Sequence, residues 1–119
     1  MTIRYWPIPP RFPVIIDTGC EVFGARTAAE CSKRIARATI PEGEIAIPVI
    51  DVSAEGFAYY PDSNVVSGMT VKKRWTKSEI IEVYNSRRPP GRPEYVPGSL
   101  SNKPVEKIVS EIVELLCEP

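Results

Sequence analysis

Hydrophobic positions recur along this chain with different periods, and each period predicts an element. Phe12-Pro13-Val14-Ile15-Ile16-Asp17 is a β-branched run closed by Thr18-Gly19, the pattern of a short, mostly buried strand. Ala28, Cys31, Ile35 and Ala38 follow at steps of three, four and three, a stripe of small apolar residues that lets a helix approach a sheet closely. Thr27 and Glu30 have capping-box spacing at its start, and Pro41 and Gly43 end it. Arg26, Lys33, Arg34 and Arg37 fall mostly off the stripe.

From 44 to 75 the period shortens to two, predicting a β-meander. Ile45, Ile47 and Val49 alternate, then Ile50 and Val52 resume on the opposite parity, which predicts a bulge near Pro48. Ser53-Ala54-Glu55-Gly56 reads as a turn with Gly56 left-handed, and Pro61-Asp62-Ser63-Asn64 as a second turn. Phe57–Tyr60, Val65-Val66 and Met69–Trp75 are the remaining strands, the last with Met69, Val71, Lys73 and Trp75 on one face.

Two further helices carry clear signals. Trp75-Thr76-Lys77-Ser78-Glu79-Ile80 holds a capping box, Thr76 to Glu79, inside a hydrophobic staple, Trp75 to Ile80; the helix runs from about Lys77 to Asn85. Near the end, Val105, Ile108, Val109, Ile112, Leu115 and Leu116 recur at helical steps from about 102 to 117, with Pro104 tolerated in the first turn. Between these helices, 86–99 carries Pro89, Pro90, Gly91, Pro93, Pro97 and Gly98 and reads as a connecting loop. Together the order predicts one α+β domain over 1–119, with a largely antiparallel sheet and two or three helices packed on one face.

Composition narrows the function more than it defines it. The chain has 119 residues, 15 Lys+Arg against 15 Asp+Glu, and no histidine. Ser-His-Asp and Cys-His catalysis, imidazole metal ligands and a histidine pH switch are therefore absent. Cys20, Cys31 and Cys117 are odd in number and lack Cys-x-x-Cys spacing, which favours a reduced cytoplasmic setting and no metal or cofactor. Eight of the thirteen prolines cluster at 7–13 and 89–97; the first cluster interrupts the apolar stretch a signal peptide needs, and no apolar run approaches the ~20 residues of a membrane span. A soluble protein without a membrane partner is expected.

Charge is segregated along the sequence. Ala38 to Val71 carries Glu42, Glu44, Asp51, Glu55 and Asp62 with no Lys or Arg, whereas Lys72 to Arg92 carries seven basic residues and only Glu79 and Glu82. Complementary blocks of this kind can orient two copies of a chain or cancel within one molecule. The wide aliphatic stripe of the last helix, with Val113 beside it, adds to the expectation of a homodimer. The leading expectation is a non-enzymatic interaction or small-ligand-binding module, self-associating or meeting a protein or small-molecule partner, with Lys72, Arg74, Trp75, Tyr84, Arg87, Arg88 and Arg92 as partner-binding residues. Nucleic-acid binding through 72–92 is an alternative, helped by the basic face of the first helix and by Trp75 and Tyr84 for stacking.

Three short segments add chemistry of their own. Val14-Ile15-Ile16-Asp17-Thr18-Gly19 resembles the apolar-apolar-Asp-Thr-Gly signature of aspartic proteases, especially the retroviral type built from two identical chains. That resemblance implies an aspartic hydrolase in which two copies of Asp17 share one proton as base and acid. It spans six residues, and a predicted helix follows where that family continues in strands. Gly91-Arg92-Pro93 resembles the centre of an AT-hook, and Arg87 to Pro93 also fits an Arg-x-x-Pro-x-x-Pro ligand of SH3 domains.

Overall fold

The β-branched run at 14–17 forms the inner strand of a hairpin, and the rest of the sheet is laid down beside it. The computed structural model describes residues 2–69, 71, 73–96 and 102–117. Its strands are β1 (Arg4–Tyr5), β2 (Val14–Asp17), β3 (Val22–Ala25), β4 (Ile47–Ile50), β5 (Gly56–Tyr60) and β6 (Val65–Ser67); its helices are α1 (Ala28–Arg37), α2 (Lys77–Arg87) and α3 (Val105–Cys117). The six strands join in the order β1-β6-β5-β4-β2-β3. All neighbours are antiparallel except the parallel pair β1 and β6, so the fold is the expected α+β class.

Alternation within the strands sends side chains to two separate cores. Ile15, Val22 and Ile50 pack with Ile80, Val83 and Tyr84 of α2 and with Ile108, Val109, Ile112 and Val113 of α3. Val14, Ile16, Phe23, Val49, Phe57 and Val66 pack with Cys31 and Ile35 of α1. Thus α2 and α3 share one face, as expected of two helices, and α1 covers the other.

Double coverage corrects the predicted bulge. Ile47↔Tyr59, Pro48↔Ala58, Val49↔Phe57 and Ile50↔Gly56 pair without interruption; Val49 and Ile50 are both buried because each faces a core of its own. The turn after β4 also differs, since Ala54, not Gly56, is left-handed (φ 72°). Gly56 is needed for close approach instead: a Cβ there would meet Val71 Cγ1 at 2.9 Å and the Lys73 carbonyl oxygen at 3.0 Å. The expected strand at 69–75 is, among its described residues, a crossing segment with one isolated bridge from Arg74 to Glu55. Backbone bonds from Gly56 N–H to Lys73 O and from Trp75 N–H to Ala54 O hold it there.

Local chemistry accounts for the helices. Thr76 and Glu79 form the full capping box of α2. In α1, Thr27 accepts from the Glu30 N–H, but the Glu30 carboxylate reaches past the cap to the Arg26 N–H at 3.0 Å. α3 begins at Val105, later than expected, with the Ile108 N–H bonded to the Pro104 carbonyl; proline disfavours helical backbone at the residue before it. Its aliphatic stripe is spent inside the molecule. Val113 lies 3.1 Å from where a Cβ of Gly24 would stand, and each fully buried aliphatic contributes about 1.5–3 kcal/mol.

Candidate functional site

Most of the ionisable residues that the sequence brings forward are satisfied within the fold. Asp17 ends β2 with both oxygens engaged: Oδ1 accepts from the Gly19 N–H at 2.9 Å and Oδ2 from Arg87 Nη1 at 3.0 Å. Arg87 Nε also donates to the Gly19 carbonyl. Within the chain Asp17 therefore faces a guanidinium. Arg88 donates to the Asn85 and Arg92 carbonyls and closes the C-terminus of α2.

Arg74 pairs with Glu55 at 2.9 Å, and Trp75 is partly buried with Lys73 Nζ 4.4 Å from its ring centre. Tyr84 is fully buried and donates to the Pro93 carbonyl at 2.7 Å, so its ring belongs to the core and offers no stacking surface. Arg92 is tied by its backbone to Pro89. Lys72 lies outside the described residues. These residues do not form one patch. Arg74 and Trp75 precede α2 and Arg87 and Arg88 end it, separated by a helix roughly 16 Å long.

A second polar cluster fastens the proline-rich loop. The Asn85 side chain bonds both the N–H and the carbonyl of Tyr95, whose hydroxyl donates to Glu111 at 2.6 Å while Lys103 reaches the same carboxylate at 2.8 Å. Burial and the Glu111 bond push the Tyr95 phenol above its ordinary value, the opposite of an activated nucleophile. Asp51 is buried too, and accepts from the Arg11, Ser53 and Glu55 N–H groups and the Ser53 hydroxyl.

A different arrangement is found on the α1 side. A cavity of about 510 Å³ opens between α1 and the edge strand β3. Phe23 of β3 and the methyl groups of Ala29 and Ala38 give it apolar walls, Glu21 stands at one end, and Glu30, Lys33, Arg34 and Arg37 project from α1. Both carboxylates are already committed: Glu21 Oε2 accepts from the Thr39 N–H at 3.1 Å, and Glu30 serves the Arg26 N–H. That backbone bond chiefly holds the Glu30 carboxyl below its usual range.

The cations are much less constrained. Arg34 Nε lies 3.7 Å from Glu30, too long for a hydrogen bond, and this buried nitrogen has no hydrogen-bond partner. Lys33 and Arg37 are exposed and pair with no carboxylate among the described residues.

No family model, no curated protein and no solved structure matches this chain. The site's chemistry therefore rests on its own geometry. Among the described residues, no cluster of three or more His, Cys, Asp or Glu could hold a metal ion, and no helix is long and apolar enough to cross a membrane. The groove offers positive charge over an apolar floor, the recognition chemistry of a small organic anion.

The basic face of α1 was visible in the sequence; the groove it borders was not, because Phe23 and Glu21 come from the unpredicted hairpin. The basic residues of α1 and of 72–92 do not combine, since α1 and α2 lie on opposite faces of the sheet. Arg34 and Arg37 also favour the C-terminal end of the α1 dipole by about 0.3–1 kcal/mol each, which accounts for their presence in the last turn but not for Lys33 beside them.

Proposed function

We propose that this protein is a non-catalytic binding module whose ligand, a small anionic molecule, sits in the groove between α1 and β3. One observation carries the reading: Lys33 and Arg37 line a cavity with no ion-pair partner among the described residues, beside an Arg34 whose buried Nε has no hydrogen-bond partner. Elsewhere Asp17, Arg74, Arg87, Lys103 and Glu111 are paired within the fold. Attraction for a ligand comes from charge the protein has not already neutralised.

Amide chemical shifts followed by NMR during titration with benzoate and phenyl phosphate at low ionic strength test this. Shifts should concentrate at 21–23 and 29–38, and should vanish in Lys33→Gln/Arg37→Gln. Shifts scattered over the surface, or unchanged in the double variant, would remove the groove as the site.

Self-association is a second reading, favoured by Trp6, which is 59% exposed beside Arg4 and Val65 at the β1 edge of the sheet. Sedimentation equilibrium should then show a dimer that Trp6→Ser weakens; a monomer at millimolar concentration would count against it.

A further inference from the structure

We infer that the ligand of the α1–β3 groove is a phosphate monoester carried on an apolar body, recognised as a dianion by Lys33, Arg34 and Arg37. This rests on the anion-binding reading of the same groove and adds the chemical class. The first argument is charge. Lys33 and Arg37 are one helical turn apart and Arg34 and Arg37 three residues apart, so the three cationic ends share one flank of α1 within roughly 6 Å of rise. Glu21 and Glu30 line the cavity beside them, but each carboxylate is bonded to a backbone N–H, and the nearest ion pair, Arg34 to Glu30, is long at 3.7 Å. A phosphate monoester has three terminal oxygens for these three cationic ends, where a carboxylate has two.

The second argument is shape. Arg34 Nε–H has no acceptor, and a guanidinium offers its donors as a planar fork that fits two oxygens of a tetrahedral phosphate. Lys33 and Arg37 supply point charge for the third oxygen. The third argument is volume. A cavity of about 510 Å³ has the size of a small-molecule pocket, and Phe23, Ala29 and Ala38 give the remainder of the ligand an apolar surface. No glycine-rich phosphate loop is present at α1, so recognition falls to side chains.

The test compares phenyl phosphate, its methyl diester and benzoate on the full chain at pH 7.5, read by the amide shifts of 29–38. Phenyl phosphate should bind about ten-fold more tightly than the two monoanions. Arg34→Lys, which keeps the charge and loses the fork, should weaken phenyl phosphate by about ten-fold.

Lowering the pH to 5.5 should weaken phenyl phosphate alone, because its second ionisation lies near pH ~6. The chain has no histidine, Glu30 is held below its usual range, and the nearby Cys117 thiol is pushed up by burial; the other charged groups facing the site are Glu21, Arg26, Lys33, Arg34 and Arg37. Equal affinity for all three probes would overturn the phosphate assignment and leave the anion-binding reading standing. Failure of every probe to shift 29–38 would overturn both. Inorganic phosphate binding as tightly as phenyl phosphate would remove the apolar body from the proposal.

Discussion

The two faces of the sheet treat charge in opposite ways. On the α2–α3 face, ion pairs and carbonyl contacts reach across the chain: Arg87 holds Asp17, Arg88 closes its own helix, and Lys103 and Tyr95 meet on Glu111. On the α1 face, Lys33 and Arg37 stand over a cavity without ion-pair partners among the described residues. The densest basic stretch of the sequence is thus the less available one. Cationic character matters for binding only after the fold has taken what it uses for itself, because a neutralised, hydrogen-bonded guanidinium has little left to offer a ligand.

The contrast breaks most visibly in stability. Ile112→Ala removes a fully buried side chain from the α2–α3 core and should cost about 2–5 kcal/mol, measured by urea denaturation. A cost well under that range would mean that this face is loosely packed and that its ion pairs, not its aliphatics, hold it.

Next comes the Asp17–Arg87 pair. Asp17→Asn would turn an amide toward the guanidinium and should cost about 1–2 kcal/mol, less than a fully buried pair because Arg87 is partly exposed. A double-mutant cycle with Arg87→Gln should recover a coupling of about 1 kcal/mol. Zero coupling would make Asp17 a free carboxylate and return weight to a hydrolytic role.

Acid should reveal the next effect. Glu30, Glu79 and Glu111 are all held below the usual carboxylate value, the first two chiefly by backbone N–H bonds at helix starts and the third by Lys103. Each contribution is fully present above the unfolded pKa, about 4.3, and disappears as pH falls through the lower folded value. Stability should therefore decline below about pH 4.5, and Glu79→Gln should flatten that decline.

An element of this chain is legible in its sequence where the physics that decides it is local. The α2 boundary was legible because Thr76, Glu79, Trp75 and Ile80 contain their own instructions within six residues of sequence. β3 was not, because Val22-Phe23-Gly24-Ala25 is stabilised by its hairpin with β2 and by Val113 lying over Gly24 from α3. Val49 and Ile50 misled because alternation assumes one wet face, and here both are covered. For the site, the positive face of α1 could be read from periodicity. The pairing state of each cation could not: the partners of Arg74 and Arg87 lie 19 and 70 residues away.

The smallest predicted change in stability is the one that decides the comparison. Removing Lys33 relieves its like-charge repulsion with Arg37, worth about 0.2–0.5 kcal/mol, and gives up some attraction to Glu30 of similar size. Removing Arg37 gives up about 0.3–1 kcal/mol of dipole interaction and regains the same relief. The terms oppose each other, so Lys33→Gln and Arg37→Gln should each leave the unfolding free energy within about 0.5 kcal/mol of the parent while abolishing the ligand-induced shifts in the groove. A substitution that costs nothing in folding and everything in binding marks a residue kept for its ligand. If Lys33→Gln instead lowered stability by more than about 1 kcal/mol, its charge would be structural after all, and the α1 face would differ from the α2–α3 face only in the exposure of its pairs.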